Sequence, residues 1–140
     1  MTYFAYYRAV CNSIVNLLKT AGYVNGDNLG QEAVLPKKTY FFKDFNEKEK
    51  FKNKTYLVWN VVENANNQYA DNSKIGGNEF GGIAIVTPNS IDSKEVKTIA
   101  DSVEQAIENA GWRINSVTPD RDWESGLNTV TFSISKVFQK

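Results

Sequence analysis

At 140 residues, 41% of them hydrophobic and 23% charged, the chain has the size of one ordinary domain (roughly 100–150 residues) and can fold on an apolar core without metals or disulfides. Sixteen basic residues balance sixteen acidic ones, which argues against nucleic-acid binding through the whole surface and leaves association between copies unopposed by charge. The single cysteine, Cys11, excludes an intramolecular disulfide, and the absence of histidine removes the usual general base, the usual zinc ligand and every Ser–His or Cys–His pair.

The N-terminal stretch lacks the basic start, long apolar middle and small-residue cleavage site of a signal peptide. No apolar run approaches the ~20 residues of a membrane span, so the expectation is a soluble protein made and kept in a cytoplasm. Residues 3 to 21 have helical spacing: Phe4, Tyr7, Cys11, Ile14, Val15 and Leu18 recur every three or four positions. Thr2 is placed to cap the start and Gly22 to end the helix. Tyr3, Tyr6, Val10 and Leu17 widen the apolar stripe, which predicts burial on two sides, the second against another subunit. Cys11 lies in the apolar phase and is expected to be a small buried hydrophobe.

Residues 23 to 54 form an insertion without a regular pattern. "YVNGDNLGQEAVLPKK" is turn-rich, "TYFFKDF" is either a strand or an aromatic anchor, and "NEKEKFKNK" is a charged loop. "TYLVWNVV" (55–62) is apolar on both faces except at Asn60, the pattern of a covered central strand. "NNQYADNSKIGGNEFGG" (66–82) then reads as a long hairpin connection into the strand "GGIAIVT" (81–87), which Pro88 ends.

Residues 93 to 110 predict the clearest helix. Val96, Ile99, Ala100, Val103, Ala106, Ile107 and Ala110 form one stripe, Asp92 and Glu95 fit a capping box, and Gly111 ends the element. Both helices close alike, in "AGY" and "AGW", where a left-handed glycine folds the aromatic back on the helix end. "WRINSV" (112–117) and "LNTVTFSISKVF" (127–138) are strands on either side of a polar turn, "TPDRDWESG". In the second, Val130, Phe132 and Ile134 alternate with Thr and Ser. The order predicts a single α+β domain over 1–140: a small, mostly antiparallel sheet of about four strands, two helices on one face, and a long hairpin between the first two strands.

Little in the chain suggests catalysis. Asp120, Asp122 and Glu124 cluster around Arg121, but alternating acids in a turn are ordinarily solvated rather than convergent on a metal. "GGNEFGG" is not a phosphate cradle, because it runs into a strand and no Lys-Ser or Lys-Thr follows. Lys48, Lys50, Lys52 and Lys54 surround Phe51 in a loop that either touches a nucleic-acid backbone or is simply solvated, with Glu47 and Glu49 diluting its charge.

Taken in order, "TYLVWNVV", the step "QYADN" (68–72), "GGIAIVT", the capped helix, "AGW" and the final alternating strand resemble the tail terminator or tail completion proteins of long-tailed bacteriophages. The resemblance covers roughly residues 55 to 138, and the piece from 23 to 54 is longer than the family pattern. It implies a structural virion protein with no enzymatic activity and no cofactor. Such a protein forms a homo-oligomeric ring, usually hexameric, at the head-proximal end of the tail tube, assembled in the bacterial cytoplasm. Its partners would be further copies of itself, the tail tube protein, a head–tail connector and, transiently, DNA in the lumen. A head-completion or neck protein is the alternative, and a nucleic-acid-binding module a more distant one. On this resemblance the long hairpin carries the docking residues Tyr69, Asp71, Asn72, Lys74 and Phe80. Tyr69 either anchors a neighbour or packs on its own hairpin, Asp71 and Asn72 cap the turn, and the four lysines face DNA or a partner.

Overall fold

The computed structural model describes residues 3–28, 39–44, 53–62, 68–70 and 73–139. Among the described residues, two helices and seven strands follow one another as α1 (Tyr3–Thr20), β1 (Val24–Asn25), a 3₁₀ turn (Gly26–Asn28), β2 (Tyr40–Lys43), β3 (Tyr56–Val62), β4 (Gln68–Ala70), β5 (Ser73–Thr87), α2 (Lys94–Asn109), β6 (Arg113–Arg121) and β7 (Asn128–Gln139). The sheet runs β1-β2-β3-β5-β7-β6, with the short β4 paired to β5 outside that path. β1, β2 and β3 are parallel, whereas β3–β5, β5–β7, β6–β7 and β4–β5 are antiparallel.

The fold is therefore α+β as expected, but the sheet is mixed and larger than about four antiparallel strands. The difference comes from the insertion. Parallel neighbours need crossovers of about a dozen residues or more, and residues 26–39 and 44–55 provide that length. β1 and β2 are too short to show an alternation, so only their pairing identifies them. β2 resolves the ambiguity of "TYFFKDF": Phe41 enters the helix-side core, while Tyr40 and Phe42 enter a second cluster on the opposite face with Tyr56, Val58, Val86 and Leu127.

Both helices lie on one face. Tyr6, Val10, Ile14, Leu17 and Leu18 of α1 pack with Val96, Ile99, Val103 and Ile107 of α2 over Leu57, Trp59, Ile83, Ile85, Phe132 and Ile134. The stripe of α1 is rotated from the sequence expectation. Ile14 and Leu18 lie at its centre as expected, but Tyr6, Val10 and Leu17 join them while Phe4 and Tyr7 are exposed and Cys11 is only half-buried at the margin. α2 matches its pattern, except that Ser93 rather than Asp92 caps it, its hydroxyl accepting from the N–H of Val96 at 3.3 Å. Glu95 is engaged by the side-chain amide of Asn89 instead of reaching back to the cap.

The two helix ends match each other in detail. Tyr23 N–H bonds to Leu18 O at 3.1 Å and Gly22 N–H to Lys19 O at 3.0 Å, while Trp112 N–H bonds to Ile107 O at 3.1 Å and Gly111 N–H to Glu108 O at 3.0 Å. Gly22 at φ 98° and Gly111 at φ 82° supply the left-handed residue that this closure requires. The aromatics then cross over. Tyr23, following α1, lies beside Ser102 of α2, and the Trp112 indole, following α2, donates to Ser13 Oγ of α1 at 3.0 Å. The end of α2 is thereby tied to α1.

Most of "NNQYADNSKIGGNEFGG" is strand rather than loop. β5 spans 15 residues, about 50 Å at ~3.3 Å per residue. Its ladder with β7 continues from Thr87↔Asn128 to Gly76↔Gln139. The first strand following α2 is also longer than expected, since β6 continues to Arg121 and leaves the turn to residues 122–127, whereas β7 keeps the expected length of 12 residues. Among the described residues no helix is long and apolar enough to cross a membrane.

Candidate assembly surfaces

On the helix-free side of β3, β5 and β7, the buried cluster that contains Tyr56, Val58 and Val86 gives way along the strands to small or polar residues. Asn60 is opposite Gly82, which is opposite Ser133; Val58 is opposite Ala84, which is opposite Thr131. At one end of this face three apolar side chains break the pattern. Val62 pairs with Phe80 and Val137 pairs with Asn78, two residues along on the same face as Phe80. Phe80 and Val137 are thus diagonal neighbours, ~7–8 Å apart by strand geometry. They are 37% and 60% exposed, and Val62 is 51% exposed. The hairpin of β4 and β5 starts directly beyond them, with Tyr69 paired to Lys74 and Ala70 to Ser73 after an irregularity between Gln68 and Tyr69.

Of the predicted docking residues, Phe80 is therefore exposed beside two further apolar side chains. Tyr69 and Lys74 are Cα partners in the hairpin register, and Asp71 and Asn72 lie outside the described residues. Lys54 is exposed in the turn before β3, while Lys48, Lys50 and Lys52 lie outside the described residues. Lys43, which the sequence did not single out, sits at the other side of the helix layer. Its ammonium donates to the Tyr7 hydroxyl at 3.0 Å and lies over the rings of Tyr7 and Trp59. The bond to Tyr7 holds its pKa above the ordinary lysine value despite some desolvation.

The outer edge strand β6 is exposed along its length, yet it is poorly suited to receive another strand. Asn115 is an extra residue between Ile114 and Ser116 in the register with β7, Pro119 offers no N–H, and Arg113, Asp120 and Arg121 place charges along it. Bulges, prolines and charges are the devices that keep an edge from pairing.

The turn after β6 carries a second apolar feature. Trp123 is 84% exposed, with the Arg121 guanidinium 4.9 Å from its ring centre. Its backbone is held from both sides by Asp122. The carboxylate accepts from Glu124 N–H at 3.0 Å and Ser125 Oγ at 2.9 Å, and the Asp122 carbonyl accepts from Gly126 N–H at 2.8 Å. The bonds from Ser125 and the Glu124 amide keep the Asp122 carboxyl below its ordinary pKa. Asp122 thus builds the turn itself, and among the described residues no three His, Cys, Asp or Glu side chains are grouped as metal ligands would be.

Between α1 and α2 runs a groove of about 690 Å³, with Ala9, Asn12, Asn16, Leu17, Gln105 and Ala106 among its lining residues. Ser13, which accepts from the Trp112 indole, and Ser102 also line it. Local sequence patterns could not find this groove, because it joins two segments some ninety positions apart. Trp123 had a local signal: a tryptophan inside an otherwise polar turn. No protein-family model matches the chain, and no curated protein matches it.

Proposed function

We propose that the chain is a structural protein of a bacteriophage tail, a terminator that assembles with copies of itself into a ring on the end of the tail tube and joins tail to head. The observation that carries this reading is the uncovered apolar trio Val62, Phe80 and Val137 at the base of the β4–β5 hairpin. Three exposed apolar side chains gathered beyond the Asn60, Gly82 and Ser133 stretch, apart from the buried cluster of the same face, suit burial against a protein partner rather than a substrate. The neutral net charge and the resemblance of the 55–138 segment support the same assignment. The ring needs no cofactor and no catalytic residue. It contacts the tube protein below, a connector above and DNA only as it passes. A neck protein of the same junction would use the same surface, and docking to purified tubes separates the two.

The test is assembly. The purified chain is expected to form rings in negative-stain micrographs and to cap isolated tail tubes. Phe80→Ser combined with Val137→Ser is expected to abolish one or both while leaving circular dichroism unchanged, since both side chains are already exposed. Substitution is cleaner than deleting residues 70–80, which would remove the Gly76–Phe80 part of the ladder with β7. Rings and capping that survive the double substitution would remove this surface from the assembly, and a chain that neither forms rings nor binds tubes would end the proposal.

A further inference from the structure

We propose that Asn25 is a self-modification site: its side chain closes on the backbone nitrogen of Gly26, and the isoaspartate that results releases the 3₁₀ turn from the edge of β2. The inference is independent of the ring reading. Asn25 is the only asparagine of the chain followed by glycine, so no side chain beside the attacking nitrogen obstructs its approach.

The local geometry brings the two reacting groups together. Asn25 is half-buried, and its Oδ1 accepts from the Asp27 N–H at 3.0 Å. The ring that this bond closes contains both Asn25 Cγ and Gly26 N, the atoms that must meet. The same Asp27 N–H is placed to stabilise the negative charge that develops on Oδ1 during attack. β1 holds Asn25 only lightly, because it is two residues long and among the described residues pairs only with β2. Such a short outer strand opens readily.

The reaction needs water and no oxidant. Gly26 N–H gives up its proton and the nitrogen bonds to Asn25 Cγ; the bond from Cγ to the amide nitrogen breaks, and ammonia leaves. Water then opens the five-membered imide. Cleavage at the Cγ side leaves an ordinary aspartate, and cleavage at the main-chain carbonyl leaves an isoaspartate, whose backbone runs through Cβ and Cγ. The loss of ammonia makes the change one-way.

The clasp beyond Asn25 does not tolerate a longer backbone. Gly26 lies so close to Phe42 that a Cβ would overlap its ring, and the Asp27 carboxylate accepts from the Lys43 N–H at 2.8 Å. That N–H lies past the end of the β1 ladder at Asn25↔Phe41, so Asp27 takes the place of a neighbouring strand there. One extra backbone carbon before Gly26 moves both contacts, and the edge of β2 loses its cover.

The test is to hold the folded chain in mildly alkaline buffer, follow it by peptide mapping, and label isoaspartate with an isoaspartyl methyltransferase. Asn25 is expected to gain one mass unit before any other asparagine, by way of a transient species that has lost ammonia, while Asn25→Gln keeps its mass. In the isoaspartate product, hydrogen exchange at the Lys43 amide is expected to quicken at least about tenfold, the scale of one hydrogen bond to a charged group. Asn25→Asp, which carries the charge without the extra carbon, is expected to exchange as the parent does. An Asn25 that stays intact in the folded chain while the urea-unfolded chain converts would overturn the proposal, as would another asparagine reacting first. Parent-like exchange at Lys43 in the isoaspartate product would overturn the release of the clasp.

Discussion

Adding one methyl group at Gly81 is expected to destabilise the protein, while adding the same group at its neighbour Gly82 is not. The two glycines occupy adjacent positions of β5 and so face opposite sides of the sheet. A Cβ at Gly81 would meet the backbone carbonyl oxygen of Asn60 at 2.9 Å and Ile14 Cδ1 at 3.0 Å, a site enclosed by α1 on one side and β3 on the other. The carbonyl belongs to the central ladder and cannot move independently. Forcing an extra carbon into such a site costs about 1–3 kcal/mol. The lost freedom of the unfolded chain offsets this by ~0.4–1 kcal/mol, leaving a net loss of about 1–2 kcal/mol. At Gly82 the obstructing atom is Asn60 Oδ1 at 2.7 Å, the end of an exposed side chain that can rotate away. There the entropy gain of ~0.4–1 kcal/mol is opposed only by that rotation.

For a domain of this size 1 kcal/mol moves Tm by about 3–5 °C. Gly81→Ala should therefore melt roughly 3–10 °C below the parent, and Gly82→Ala at or slightly above it. Urea unfolding monitored by tryptophan fluorescence provides the free energies directly. The Ile14 contribution can be isolated as well: Ile14→Val removes the Cδ1 atom, so it should cost less in the Gly81→Ala background than alone, a favourable coupling in a double-mutant cycle. If Gly81→Ala is as stable as the parent, or Gly82→Ala falls as far, the close seating of α1 on β5 is wrong.

Three further outcomes follow from the helix ends and the turn. Ser13→Ala removes the acceptor of the Trp112 indole and should cost about 1 kcal/mol, the low end of the penalty for an unpaired buried donor because Ser13 is half-buried; calorimetry of this variant beside Ser13→Thr measures it, and an unchanged Tm would dismiss the bond. Burial raises the pKa of Tyr23 above its ordinary 10.0, with Ser102 opposing. The unfolded phenol then ionises first, so the Tyr23 contribution is complete below pH 10.0 and is lost as pH rises through the raised value. The alkaline loss of stability should be shallower in Tyr23→Phe, and equal slopes would contradict this. Asp122 has its pKa lowered from 3.8, so the turn it holds should persist above that pH and loosen as pH falls through the lowered value; the Trp123 indole proton resonance should report that midpoint, vanish as a titration in Asp122→Asn, and titrate below 3.8 rather than at it.

The parts of this fold that were legible in the sequence are those specified by local chemistry. The period of α2, the paired Ala-Gly-aromatic endings and the two-faced burial of Tyr56, Leu57, Val58 and Trp59 all appear where the residues place them. The illegible parts depend on partners distant in the chain. "VN" and "YFFK" become strands because β3 is available to pair, and the glycines of "NNQYADNSKIGG" join β5 because β7 runs long enough to accept them. α1 has apolar residues almost all round its first two turns, so sequence could not select Tyr6 over Phe4 or Tyr7; the sheet did. The same division applies to the assembly surfaces. Phe80 was legible as part of the hairpin, but its grouping with Val62 and Val137 required the register, and the groove required both helices in place.

The arrangement of these surfaces bears on the kind of assembly they can make. A sheet with an exposed nine-residue edge could in principle extend into a neighbour strand by strand, but β6 carries a bulge, a proline and three charges that oppose this. On the ring reading, copies would then not meet by pairing along β6. Phe80 lies seven positions along β5 from Thr87, the residue in register with Asn128 beside the Trp123 turn, about 23 Å at ~3.3 Å per residue. The groove is tied to the Phe80 end, since Lys136 Nζ, one position beyond the partner of Phe80, donates to the groove-lining Ala110 carbonyl at 2.9 Å. The apolar trio thus shares one end of the molecule with the Ala110 end of the groove, and the Trp123 turn occupies the other. A two-fold dimer would have to bury the same patch on both partners and would leave the opposite end unused, whereas a head-to-tail ring engages both ends in every copy.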